Sequence, residues 1–203
     1  MTDRGGVFAK DDPFDLLGAW LAEARGQEVN DPDAMAVATV DSGGCPNVRM
    51  VLLKGIEANG LVFYTNLGSR KAQEIDGCGR AALVIHWKSI RRQVRARGMV
   101  ERVGDEQADR YFATRSPESR IGAWASRQSR PLDSRAELMT RARQLRLELG
   151  EDPPRPEFWG GFRIVPFEFE FWSNGADRLH DRFRWSRAPD DPASRWSIKR
   201  LNP

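Results

Sequence analysis

Apolar residues along this chain recur at two periods, the three-to-four spacing of a helix face and the alternation of a half-buried strand. Each change between them marks an element. Leu17, Trp20, Leu21 and Ala24 follow helical spacing behind Asp12, an N-cap, and Pro13, whose missing N–H costs nothing at the first helical position. Residues 1–11 carry no period and are expected to be a mobile segment. The run AMAVATV at 34–40, the turn Asp41-Ser-Gly-Gly and a second strand beginning near Val48 predict a hairpin, and a third strand follows at 61–65. A short helix is expected at 70–75, ended by Gly77. Strands return at 81–87 and 91–103, the latter setting Gln93, Arg95 and Arg97 against Val94 and Ala96.

A helix at 105–115 stopped by Pro117, a further turn or two at 119–126, and a capped helix after Ser134-Arg-Ala-Glu137 come next. In that last helix Leu138, Met139, Ala142, Leu145 and Leu149 share one face, and Gly150 ends it. Pro153, Pro154 and Pro156 stiffen a connection to strands at 162–172, 182–187 and 195–201. Many short strands with tight connections predict a mostly β fold with flanking helices, an antiparallel barrel formed by one domain over residues 12–203.

Composition narrows the picture only in places. Hydrophobic content of 40% and charged content of 30% suit an ordinary globular chain of 203 residues, and no apolar run approaches the roughly 20 residues that span a bilayer. A cytoplasmic protein without a membrane role is expected, since residues 1–12 lack the apolar core of a secretory signal. Cys45 and Cys78 are isolated and read as reduced thiols. A net charge of +3 argues against a general nucleic-acid surface, although the basic run at 91–97 keeps such a binder as a minor alternative.

The cations matter through their clustering. Arg49, Lys54, Arg70 and Lys71 lie within 23 residues and suggest a phosphate cradle. Arg49 and Lys54 flank one strand and by period two point to opposite faces unless the strand bends. Arg70 and Lys71 occupy the first turn of a helix, where the free N–H groups and the dipole favour an anion, so two cations there signal a bound one. Tyr111 and Arg115 share a helix face with Ser119 beyond the break, a second set suited to a phosphate. Gln128 and Ser129 add loop groups able to read a heteroaromatic edge. If residues 178–182 are extended, Arg178, His180 and Arg182 face one way, toward an anionic or electron-rich ligand. His86, inside an apolar strand, is expected to be a hydrogen-bonded structural residue. Nucleotide and hydrolase motifs are missing from the sequence, which leaves the chemistry to an organic cofactor.

Six segments in order, RMVLLK, FYTNLGSRK, RRQVRARG, SRIGAWASRQS, FWGGFR and RLHDRF, resemble the pyridoxine (pyridoxamine) 5′-phosphate oxidase family over about residues 12–203. The resemblance implies an FMN-binding split β-barrel and a homodimer with two active sites at the subunit interface. It further implies oxidation of pyridoxine 5′-phosphate or pyridoxamine 5′-phosphate to pyridoxal 5′-phosphate by O2, with hydrogen peroxide as by-product. On that resemblance FMN is lined by Arg49, Met50, Val51, Leu52, Leu53 and Lys54, and its phosphate and ribityl chain are held by Tyr64, Thr65, Arg70 and Lys71. Gln93, Gln128, Ser129, Trp172 and Arg182 complete the flavin site, some from the partner chain. Lys54, Tyr111, Arg115 and Ser119 bind the substrate phosphate, and Arg178, Leu179 and His180 embrace the pyridine ring, with Arg178 and His180 the catalytic pair that orients hydride transfer from C4′ to flavin N5. Two departures stand out: an Arg-x-x-Tyr segment ahead of the first helix is lacking, and Ser116-Pro117-Glu118 replaces a proline followed by a basic residue. The competing readings are a sibling split-barrel oxidase acting on a dihydrophenazine-like ring and a non-catalytic carrier of FMN or pyridoxal phosphate.

Overall fold

A computed structural model describes residues 4–203 as nine strands and five α-helices. The strands are β1 (Ala34–Val40), β2 (Pro46–Leu52), β3 (Gly55–Glu57), β4 (Gly60–Asn66), β5 (Arg80–Trp87), β6 (Arg92–Arg102), β7 (Trp159–Ser173), β8 (Asp181–Ser186) and β9 (Ser197–Leu201). The helices are α1 (Pro13–Arg25), α2 (Arg70–Cys78), α3 (Asp105–Ala113), α4 (Pro117–Ala125) and α5 (Arg135–Leu149). All pairings are antiparallel, in the order β2-β1-β5-β6-β7-β4-β3.

Strands β2 and β3 stand at opposite ends of that order, yet only Leu53 and Lys54 separate them in the chain. The two ends of the sheet must therefore meet, and the sheet curls into a barrel. At the join the Leu53 amide donates to the Asp33 carbonyl and the Lys54 amide to the Val62 carbonyl, both at 2.8 Å. The barrel is split along β7, whose first half pairs with β4 and whose second half pairs with β8, while β6 follows its other edge throughout. A register slip between Arg97 and Gly98 marks the changeover, and a Cβ on Gly98 would fall 2.1 Å from the Val165 carbonyl oxygen, so only glycine fits this bulge.

The core lies between α1 and the inner faces of β7 and β8. Trp20 meets Phe171 edge-on at 5.1 Å, and Phe14 meets Phe169 at 5.2 Å. Three indoles of this core find an acceptor: Trp20, Trp87 and Trp185 donate to the carbonyls of Val7, Pro32 and Asp11.

The mostly β, antiparallel expectation holds, and several boundaries move. Helix α2 runs past Gly77 to a left-handed Gly79 (φ 68°), because a glycine ends a helix only where the chain needs that conformation. Pro117 does not stop a helix but opens α4, capped by Ser116, whose hydroxyl accepts from the Ser119 amide. Helix α5 buries no residue, so its apolar face is not a core face. His86 is exposed on the outer side of β5 instead of being a buried structural histidine. Of the segment 1–11, residues 1–3 lie outside the described residues, and Phe8 is buried against Trp20 and Phe183, an anchorage by a single ring that leaves no period to read. Among the described residues no helix is long and apolar enough to cross a membrane.

Candidate active site

A cavity of about 1000 Å³ opens between β2, the end of β4, the start of α2 and the α3–α4 segment. The break after Leu52 answers the period-two problem: Lys54 lies beyond the end of β2, so it reaches the same cavity as Arg49. Met50, Val51, Leu52, Tyr64, Thr65, Arg70, Lys71, Tyr111, Arg115, Ser119, Gln128 and Ser129 also line it. Leu53 does not; its side chain is 3% exposed and packs in the core, because at the barrel join it faces inward.

The cations are held by carboxylates behind them. Glu74, one turn into α2, is 6% exposed and accepts from Asn47 Nδ2 (3.1 Å), Arg49 Nη2 (3.0 Å), Arg70 Nε (3.0 Å) and the Thr39 hydroxyl. Burial alone would raise its pKa, but the bonds from Thr39, Asn47, Arg70 and Arg49 outweigh it and bring the carboxyl down to about 2. Arg49 also donates to the Val37 carbonyl (3.1 Å) and to Thr39. Lys54 pairs with Asp33 at 2.7 Å. Sequence reasoning missed Glu74, although the i,i+4 spacing of Arg70 and Glu74 was the available signal.

Lys71 is buried, with Nζ donating to Thr65 Oγ1 (2.9 Å), Ser69 Oγ (3.2 Å) and Gln128 Oε1 (2.7 Å). Burial, with the Arg49 charge added, lowers its amine to about 8 against a smaller opposing pull from Glu74. Ser69, at the N-cap of α2, makes no side-chain cap bond, so the amides of the first turn are not capped from within.

On the opposite wall Tyr64 stacks on Tyr111 at 4.0 Å and 12°, and on Trp159 at 5.4 Å and 3°. Arg115 lies 4.9 Å over the Trp159 ring, and its Nη1 is buried without a hydrogen-bond partner among the described residues. Burial pushes this guanidinium below its usual range, partly opposed by Tyr111. Ser119 Oγ meets Ser116 Oγ at 3.0 Å. A buried, partnerless guanidinium N–H beside a hydroxyl and a phenol is suited to an anion entering the cavity.

The remaining predicted residues gather elsewhere. Gln93, Trp172 and Arg182 form one cross-strand row over β6, β7 and β8 near the far end of β7, and none of them lines the cavity. Arg182 is tied to Glu170 Oε1 (2.9 Å from Nη2), a carboxylate that also pairs with Arg95. Residues 178–182 are not an extended face. Ala176–Arg178 is a 3-10 turn with Asp177 and Arg178 at φ 53° and 63°, so the strand alternation that would set Arg178, His180 and Arg182 on one face is broken. Arg178 and Leu179 are exposed, and His180 packs 4.7 Å from the Trp172 ring. Its Nδ1 accepts from the Gly175 amide at 3.2 Å, which leaves Nε2 to carry the proton of the neutral ring.

Comparison with known proteins matches residues 21–148 to the family model described as pyridoxamine 5′-phosphate oxidase, and residues 159–203 to a pyridoxine 5′-phosphate oxidase C-terminal dimerisation region. A pyridoxine/pyridoxamine 5′-phosphate oxidase of Cereibacter sphaeroides is 61% identical over 201 residues, covering 99% of this chain and 100% of its own. One of Roseobacter denitrificans is 58% identical over 203 residues, covering 100% of both. Among solved structures, PhzG from Burkholderia lata, in complex with tetrahydrophenazine-1-carboxylic acid, superimposes with a TM-score of 0.89 at 33% identity over 96% of this chain and 94% of that one.

Proposed function

Because this chain belongs to the pyridoxamine 5′-phosphate oxidase family, we propose that it is an FMN-dependent oxidase converting pyridoxine 5′-phosphate or pyridoxamine 5′-phosphate to pyridoxal 5′-phosphate in the cytoplasm. The alcohol and O2 give the aldehyde and hydrogen peroxide; the amine route also takes up water and releases ammonia. One observation carries the reading: a single cavity holds two separate anion sets, Arg49 of β2 with Arg70 and Lys71 at the start of α2, and Tyr111, Arg115 and Ser119 opposite. Two ligands with one phosphate each, a flavin mononucleotide and a phosphorylated pyridine, match that arrangement.

The first set, with Thr65, Gln128 and Ser129, would hold FMN, and Met50, Val51 and Leu52 would lie along it. Lys54, Tyr111, Arg115 and Ser119 would hold the substrate phosphate. FMN, held there, would supply a two-electron acceptor for the C4′ hydride that O2 can reoxidise. The chain itself contributes orientation, placing the reacting carbon and excluding water. Gln93, Trp172, Arg178, Leu179, His180 and Arg182 sit away from the cavity of their own chain, and five of these six, all but Gln93, lie inside the matched dimerisation region, between Trp172 and Arg182. A homodimer in which each subunit lends these groups to the other's cavity accounts for both facts.

The similarity to PhzG supports a second reading, oxidation of a reduced phenazine ring. It differs in needing no phosphate on the substrate. The test is an aerobic peroxide assay of the FMN-loaded protein with both phosphorylated vitamers, pyridoxine itself and a dihydrophenazine carboxylate. Turnover of the phosphorylated vitamers alone is expected; turnover of the phenazine alone replaces the reading, and no turnover of any overturns it. Arg178→Ala should lower kcat by about 100-fold or more while leaving the FMN dissociation constant within about twofold, as for a group that acts on the substrate ring and not on the flavin.

A further inference from the structure

Behind the cations at the start of α2 lies a carboxylate that no ligand contact explains. Glu74 is buried, ionised across the physiological range, and bonded to four side chains from three elements: Thr39 of β1, Asn47 and Arg49 of β2, and Arg70 of its own helix. A carboxylate so close to an anion site repels the anion, so it weakens binding unless its effect on geometry is the larger one. Its two oxygens are divided: Oε2 takes Arg49 and Thr39, and Oε1 takes Arg70 and Asn47. The two guanidiniums, which would otherwise repel and splay apart, are thereby fixed side by side. A guanidinium carries five N–H groups. Arg70 makes one hydrogen bond to Glu74 and lies 3.6 Å from Asp41 on its exposed side, so most of its donors stay available.

We infer that Glu74 is a positioning residue for phosphate recognition: by clamping Arg49 and Arg70 together it presets the pair that reads the flavin's 5′-phosphate, and so sets the preference for the phosphorylated cofactor over its dephosphorylated form. This rests on the FMN reading above. A purely structural Glu74 would pin α2 to the β1–β2 hairpin and affect every ligand of the cavity alike. A positioning Glu74 affects only ligands that carry the phosphate.

The experiment titrates FMN and riboflavin into the flavin-free full chain, followed by quenching of flavin fluorescence, for the wild type, Glu74→Gln and Thr39→Val. Thr39→Val keeps the charge and the shape but removes the hydroxyl that steers Oε2. For Glu74→Gln the FMN dissociation constant should rise at least tenfold and that of riboflavin stay within twofold; for Thr39→Val the FMN value should rise by a smaller factor, again without riboflavin. Equal weakening of both flavins, or no change in either, overturns the inference. Should Glu74→Gln fail to fold, Thr39→Val and Asn47→Ala decide by the same comparison. A wild type that binds no FMN overturns the flavin reading itself, a result distinct from a wild type that binds FMN while the variants match it.

Discussion

An amine buried among three oxygen acceptors behaves differently from a surface lysine, and Lys71 makes the difference measurable. Its pKa falls from the ordinary 10.5 to about 8, first through burial and then through the Arg49 charge. In the folded, ligand-free chain the proton is therefore lost above about pH 8, whereas the unfolded chain keeps it to about 10.5. Protonated Lys71 thus opposes folding below pH 8, and this opposition fades as the pH rises toward 10.5. Phosphate affinity must run the other way. The FMN dissociation constant is expected to be flat from pH 7 to 8 and then to rise by up to about tenfold per pH unit, the limit for one proton. Equilibrium titration from pH 7 to 9.5 checks this, and Lys71→Arg, which cannot deprotonate in that range, should abolish the inflection.

At the scale of elements, the turn before β8 is the most constrained piece of backbone near the predicted catalytic pair. A Cβ on Gly175 would fall 2.0 Å from the Leu179 carbonyl oxygen, and the Gly175 amide holds His180. Gly175→Ala must open this turn; it should cost about 1–3 kcal/mol in thermal unfolding and lower kcat at least tenfold by releasing His180 and Arg178. The sequence marked a turn after Trp172 through Gly175, but not that left-handed backbone continues to Asp177 and Arg178, because an arginine at positive φ leaves no mark in the sequence. Strands whose alternation is clean, such as β1 and β5, were legible to within a residue. Helix α5 was legible as a helix through its Ser134 cap, yet its apolar face misled, since periodicity reports a face and not what covers it. The cavity-lining cations were visible as a cluster; Glu74 was not, because one carboxylate on a cationic helix reads as an ordinary surface pair. Leu179→Glu separates the scales further: the side chain is 71% exposed, so unfolding should move by less than about 0.5 kcal/mol, while any loss of turnover would report its proposed contact with the substrate.

At the scale of the whole molecule, β7 joins the two groups of predicted site residues. It runs from Trp159, in the cavity, to Trp172, beside His180. Thirteen steps of extended chain span on the order of 40 Å, too far for both ends to serve one site of one subunit. In the proposed homodimer each chain would then hold half of two sites, an arrangement that a twofold axis makes reciprocal. Strand alternation could not reveal this division, since it is the same whichever cavity a strand end faces; only the family resemblance of the sequence implied it.

The length of that strand has a genetic meaning. On the proposed arrangement a chain carrying Arg115→Ala and a chain carrying Arg178→Ala should each be inactive as homodimers, because both of their sites would carry a lesion. Combined in one dimer, the two lesions fall in the same site and leave the other whole. Two silent alleles mixed in equal amounts and refolded together should therefore regain about a quarter of wild-type activity, half of the dimers being hybrids with one sound site of two. Activity of the mixture no higher than that of its components would show that each subunit works alone. The same rule would govern a diploid or plasmid-bearing cell, in which the two defects complement one another although they lie in a single cistron.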